Sequence, residues 1–248
     1  GQTTVTWYQN SSTDVIGYII YLFNGASWDS IGGVTGINNN TWLYTLSQAS
    51  QNSETYSVVA YDSCGNLSPI GQGHRTIYLQ DSLNKCDASI DMWWNSYENM
   101  QSVVASYNVF MSENGSPFSL LANVPSFETS YRHFGIKKDS VYCYFVQAVG
   151  NVNTETSSSN KNCTMADVLI FPEFTYLKTA TVQAPDEVYI EAYVDTLADI
   201  MSFKLQRSNT KNGPYVTIQN QPFASTETIS FIDNNVSTDK SSYYYRIV

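Results

Sequence analysis

The chain has 248 residues, 42% hydrophobic, 14% aromatic and only 14% charged, enough apolar matter for one large core or several small ones. Its formal charge is −10, with 12 Lys and Arg against 22 Asp and Glu. That balance argues against nucleic-acid and anionic-membrane partners, which need a basic patch, and no apolar run approaches the roughly 20 residues of a membrane helix, so no membrane insertion is expected.

The opening GQTTVTW carries neither Met nor a charged and apolar leader, and reads as a mature segment. Short alternating strands follow at once. Val5 and Trp7 share a face, and after the turn-forming NSSTD the run GYIIY puts Tyr18 and Ile20 inward. SWDSI carries Trp28 and Ile31, TWLYTL spans 41–46, and YSVVAYDSCGNLSP at 56–69 runs an alternating strand into Asp, Ser, Gly and Asn turn chemistry. HRTIYL at 74–79 completes six strands with no helical periodicity, which points to a β-sandwich.

The order then repeats. SIDMWWNSY supplies Ile90, Met92 and Trp94, YNVFM supplies Tyr107 and Val109, PFSLL supplies Phe118 and Leu121, and YCYFVQAVGN at 142–151 matches the strand at 56–61. A third round runs through YIEAYV, SFKLQ, PYVTI and YYYRIV, with Ala192 read in the place of Trp7 and Trp94. The pairs Trp28/Ile31, Phe118/Leu121 and Tyr215/Ile218 recur at intervals of about one sandwich domain. The expected modules are 1–80, 81–166 and 167–248, the last diverged and lacking its final strand. Residues 80–88 should form a stiff joint, and the apolar 165–178 reads as continuing strand rather than flexible linker.

The inward Tyr and small Ala on the penultimate strand, with DSCGN, HRTIYL, WWNSY, YNVF and YCYFVQA, resemble the tandem fibronectin-type-III-like modules of large surface and secreted proteins of the Bacteroidetes. These are often described as gliding-motility-associated or type IX secretion substrates, whose sorting domain is not matched here. The resemblance implies an all-β fold of three tandem fibronectin-type-III-like (immunoglobulin-like) sandwiches, the first and last incomplete. It also implies a non-catalytic, extracellular or cell-surface role in spacing or adhesion, with protein or glycan partners. It brings in an Asp-Ser/Thr-aliphatic O-glycosylation pattern, matched at Ser30, Ser82, Ser140 and Thr196, of which Ser82 and Thr196 stand clearest of the strand patterns.

None of the cysteines, Cys64, Cys86, Cys143 and Cys163, has the close pairing of a zinc site, and no metal or cofactor is expected. A turn near Asn153 would set Cys143 opposite Cys163, the favoured disulfide. Elimination pairs Cys64 with Cys86, although the strand at 74–79 extends ~20 Å between them. The alternative puts Cys86 at the pole of Cys143 and Cys163 and leaves Cys64 free. No catalytic residue is assigned, because no nucleophile, metal or phosphate-loop motif is present and both histidines, His74 and His133, stand alone on strands, where solvated residues are usual. Trp93 must point away from the core-facing Trp94. With Tyr97 it forms the candidate ligand platform, unless a neighbouring module or loop covers it. On that basis the second reading is an ancillary glycan-binding segment of an extracellular carbohydrate-active enzyme.

Overall fold

In the computed structural model, which describes residues 1–152 and 155–248, the chain divides into two compact units, 1–168 and 169–248. The expected turn at Asn153 lies outside the described residues. The first unit begins with β1 (Thr3–Thr6), β2 (Val15–Phe23), β3 (Trp28–Thr35), β4 (Thr41–Tyr44), β5 (Thr55–Asp62) and β6 (His74–Arg75). β1 pairs with β4, and β3-β2-β5-β6 form the facing sheet, all antiparallel.

The second half of this unit holds β7 (Leu79–Asn84), β8 (Ser89–Trp94), β9 (Val104–Glu113), β10 (Ser119–Pro125), β11 (Ser130–Phe134), β12 (Val141–Gly150), β13 (Thr156–Ser158) and β14 (Asn162–Met165). β11-β8-β7 face β10-β9-β12, with β13 and β14 sharing the far edge of β12. This three-against-four arrangement is a fibronectin-type-III-like sandwich. Its core is built from Met92, Trp94, Tyr107, Val109, Tyr144 and Val146, together with Ile77 and Leu79. The run HRTIYL is therefore divided: His74 and Arg75 close the first sandwich, whereas Ile77 and Leu79 anchor the second. Residues 80–88 are strand and hairpin rather than joint.

The unit 169–248 contains β15 (Thr175–Ala184), β16 (Glu187–Val194), β17 (Ser202–Ser208), β18 (Val216–Pro222), β19 (Thr228–Asp233) and β20 (Tyr244–Ile247). β15-β16-β19 oppose β18-β17-β20. Residues 166–174 carry no strand, contrary to the continuing strand expected there, and include Pro172, which has no N–H to donate to a ladder.

Equivalent backbone bonds align the three sandwiches. Trp7 donates to Asn40, Trp94 to Thr129 and Val194 to Glu227, each acceptor lying just before the partner strand. Val194, not Ala192, is therefore the counterpart of the two tryptophans; side-chain alternation alone leaves the register free by two residues. The Trp7–Tyr18 and Trp94–Tyr107 ring pairs, at 5.2 and 5.7 Å, give way to Phe203 against Phe223.

In 169–248 the core ends on a largely buried ion pair. Arg207 Nη1 donates to both carboxylate oxygens of Asp233, at 3.0 and 2.8 Å, and Tyr245 Oη donates to the same carboxylate at 3.0 Å. Removing the carboxylate strands a cation inside the protein, whereas removing only the hydroxyl loses one hydrogen bond. Asp233→Ala should cost about 3–5 kcal/mol and Tyr245→Phe about 1 kcal/mol, read from denaturant unfolding of the two variants.

On β12 and β14, Cys143 lies opposite Cys163 and the two are bonded, with Cα atoms 4.0 Å apart at a sequence separation of 20. Closing a loop of that length restricts the unfolded chain. The double variant Cys143→Ser/Cys163→Ser should therefore lose about 3 kcal/mol of unfolding free energy, measured against the oxidised protein.

Candidate functional site

Trp93 points outward from β8, and the strand registers set its neighbours. The rows across this face are Gln80–Trp93–Ser130, Ser82–Asp91–Arg132 and Asn84–Ser89–Phe134. Trp93 is 41% exposed, and its indole Nε1 donates to Gln80 Oε1 at 3.1 Å, which fixes the ring against β7. Arg132 donates to Asp91 through both Nε and Nη2, the latter at 3.0 Å to Oδ2, and its guanidinium lies 5.8 Å from the ring centre of Phe134. Asp91, Trp93, Glu128, Ser130 and Arg132 line a shallow depression of about 470 Å³.

Tyr97 is not part of this face. The strand ends at Trp94, and Asn95 turns the chain by accepting from Tyr78 N and donating to Thr76 O. Tyr97 is thereby carried under the first sandwich, where its hydroxyl meets His74 Nδ1 at 3.1 Å and its own N–H donates to Tyr107 Oη. The expected Trp93/Tyr97 platform is thus split. Asp91 was detectable from its i−2 relation to Trp93, but Arg132 and Phe134 join only through the register of β11.

Around Tyr97 a polar joint links the two sandwiches of 1–168. Glu155 accepts from Tyr8 Oη at 2.7 Å and, through its other oxygen, from Ser102 N and Oγ at 3.0 and 2.8 Å. These donors hold its carboxyl below the usual range. Gly150 makes room for this: a Cβ there would sit 2.1 Å from Ser102 Oγ. Arg75 bridges Glu98 through both backbone and a 3.2 Å ion pair, and Asn99 donates to Gly73 O.

Cys64 and Cys86 are free and exposed, where elimination had paired them. Cys64 sits beyond β5 in a turn of the first sandwich organised by Asp62, and Cys86 sits in the β7–β8 hairpin of the second. The short β6 and the six-residue β7, the latter roughly 20 Å long, lie between them in the chain. The pole of Cys86 is that of the disulfide, as the Lys85–Asp167 pair and the Ile136 N to Ala88 O bond indicate. Ser82 is exposed on β7 opposite Asp91, Thr196 is exposed after β16, Ser30 is exposed on β3 and Ser140 is buried.

Among the described residues, no three of His, Cys, Asp and Glu gather closely enough to hold a metal ion, and no helix is long and apolar enough to cross a membrane. No family model matches the chain, and no curated protein does. Among solved structures, the FN1–FN3 domains of chicken CNTN1 are similar at 14% identity, covering 99% of this chain and 87% of that one with a TM-score of 0.30. A two-domain fibronectin type III segment of chicken tenascin is similar at 10% identity, covering 68% of this chain and 87% of that one with a TM-score of 0.32.

His133 departs from the solvated residue expected on a strand. It points inward from β11, its Nδ1 2.8 Å from Tyr144 Oη, with the Tyr142 ring edge-on at 5.7 Å. Desolvation lowers its pKa, against a smaller opposing pull from Glu113. The unfolded chain then binds the proton more readily, so stability is full above the ordinary histidine value of about 6.5 and falls as pH drops below it. His74 shifts the same way. The unfolding midpoint should decline between about pH 7 and pH 5, and His133→Gln should flatten that decline; a profile unchanged by the substitution would contradict it.

Proposed function

We propose that the chain is a run of three non-catalytic modules, 1–75, 76–168 and 169–248, acting as spacer or adhesion elements of a bacterial surface or secreted protein. Its partners would be proteins or glycans met outside the cytoplasm. The observation that carries the reading is the joint in 1–168, where a single carboxylate, Glu155, takes donors from Tyr8 of the first sandwich and Ser102 of the second. A pair of modules tied in this way transmits a fixed direction, as a spacer must, and a flexible Gly/Ser linker would not. The Cys143–Cys163 bond supports an oxidising, extracytoplasmic setting, because disulfides persist there and are rare in the cytosol. The resemblance to Bacteroidetes surface modules supports the bacterial part of the reading, and the absence of nucleophile and metal motifs from the sequence supports a binding rather than catalytic role.

The two exposed thiols offer a direct test. Spin labels on Cys64 and Cys86 sit on different sandwiches of 1–168, so their distance distribution reports the angle between the sandwiches. A narrow distribution is expected in the unaltered chain, with broadening in Tyr8→Phe/Glu155→Ala. A broad distribution before any substitution would remove the basis for a stiff spacer.

A further inference from the structure

We propose that the outer face of β7, β8 and β11 is a binding site for an uncharged oligosaccharide of all-equatorial pyranoses, a reading independent of the spacer role. Two exposed rings bound the site, Trp93 at one end and Phe134, 64% exposed, at the other. Their positions on the ladder, opposite Ser130 and Ser89, are four residues apart, so roughly 13 Å of sheet separates them. That is the reach of a short chain of sugars rather than of one ring. Equatorial hydroxyls leave the axial C–H groups as flat apolar faces, which suit aromatic rings lying on a sheet.

Between the rings the polar groups are paired but not exhausted. Arg132 uses Nε and Nη2 on Asp91, leaving Nη1 without a hydrogen-bond acceptor among the described residues, and Asp91 keeps lone pairs on both oxygens. Together they present an adjacent donor and acceptor, the complement of neighbouring hydroxyls on a sugar ring. Gln80 has its amide hydrogens free once Oε1 has accepted from Trp93, and Ser130 and Glu128 have no side-chain partner among the described residues. The Gln80 bond holds the indole in place before any ligand arrives, which lowers the entropy lost on binding.

Charge selects an uncharged ligand. Asp91 and Arg132 cancel, Glu128 stands at the rim, and the chain as a whole carries −10, so an anionic glycan would meet repulsion, and among the described residues the cation lining the depression, Arg132, is already paired. A protein partner would use the same Trp and Arg, but hot spots of that kind need surrounding apolar contacts that exclude water. Here the positions between the two rings are Gln, Ser, Asp, Asn and Arg.

The test uses the full chain with hexasaccharides of β-1,4-linked glucose, xylose and N-acetylglucosamine as probes and a heparin hexasaccharide as the anionic control. Binding is read by calorimetry and by the indole N–H resonance of Trp93. At least one neutral probe should bind and move that resonance. Its affinity should fall tenfold or more in Trp93→Ala and several-fold in Phe134→Ala and Arg132→Lys, an aromatic stack and a planar fork being lost in turn. Phe127→Ala, which removes an 83% exposed ring from the β10–β11 loop, should leave it unchanged. Should Trp93→Ala fail to fold, the other two site variants decide the matter. Silence from all three neutral probes, equal affinity in the site variants, or preference for heparin would overturn the proposal.

Discussion

The structure depends on a requirement that each inward tyrosine of the penultimate strand imposes: its ring belongs in the core, but its hydroxyl needs a partner there. Tyr56, Tyr144 and Tyr245 occupy equivalent positions on β5, β12 and β20, as their pairing with β2, β9 and β17 establishes. Each finds a different solution. Tyr56 donates to Glu54, Tyr144 meets His133, and Tyr245 donates to Asp233. In every case burial raises the phenol pKa, so the hydroxyl stays protonated and available as a donor. The polar groups at the ends of the cores are thus consequences of the tyrosines, and a titratable residue in this fold is better explained first as a tyrosine's partner than as chemistry.

The same logic governs the corner two residues earlier. Tyr142 and Tyr243 accept the backbone N–H of Lys137 and Ser237, five and six residues upstream, which pins the loop entering the strand. In the first sandwich this place is held by Glu54, whose carboxylate accepts from Gln48 N, six residues upstream, while also serving Ser47 and Tyr56. One buried carboxylate there does the work of a tyrosine and of its neighbour's partner. Such a group is tolerable because every oxygen is hydrogen-bonded, and the arrangement ties three residues, Ser47, Gln48 and Tyr56, to one carboxylate.

Sequence alternation made the sandwich class, the repeat and the core-facing residues legible, because a period of two with turn residues between strands is a local property. What it could not carry was register between distant strands. The misplacement of the Trp7 and Trp94 counterpart at Ala192 instead of Val194 is a slip of two, which leaves every side chain on its own face and so leaves no trace in the pattern. The pairing of Trp93 with Tyr97 failed for a related reason. It carried the side-chain alternation of the strand on to Tyr97, just past its end, and Asn95 breaks that alternation through side-chain bonds to residues 76 and 78 that lie on another strand's approach. Likewise Arg132, the residue nearest in chemistry to Trp93, is 39 positions away in sequence and one strand away in space.

The two outer faces of the second sandwich also differ in a way that composition hides. On the β9–β12 side, Phe110 and Phe145 stack at 4.7 Å, Phe118 meets Phe145 edge-on, and Lys161 lies over Phe118. These rings satisfy one another and sit half-buried next to the disulfide, so their apolar surface is already largely removed from water. On the β8 side, Trp93 and Phe134 are too far apart to do the same; Arg132, neutralised by Asp91, lies over Phe134 and leaves the Trp93 ring uncovered among the described residues. Aromatic content alone would rank the first face higher as a binding surface. The packing reverses that ranking, because a ring whose face is spent on another ring has little left for a ligand, whereas one held at its edge by Gln80 keeps its face open.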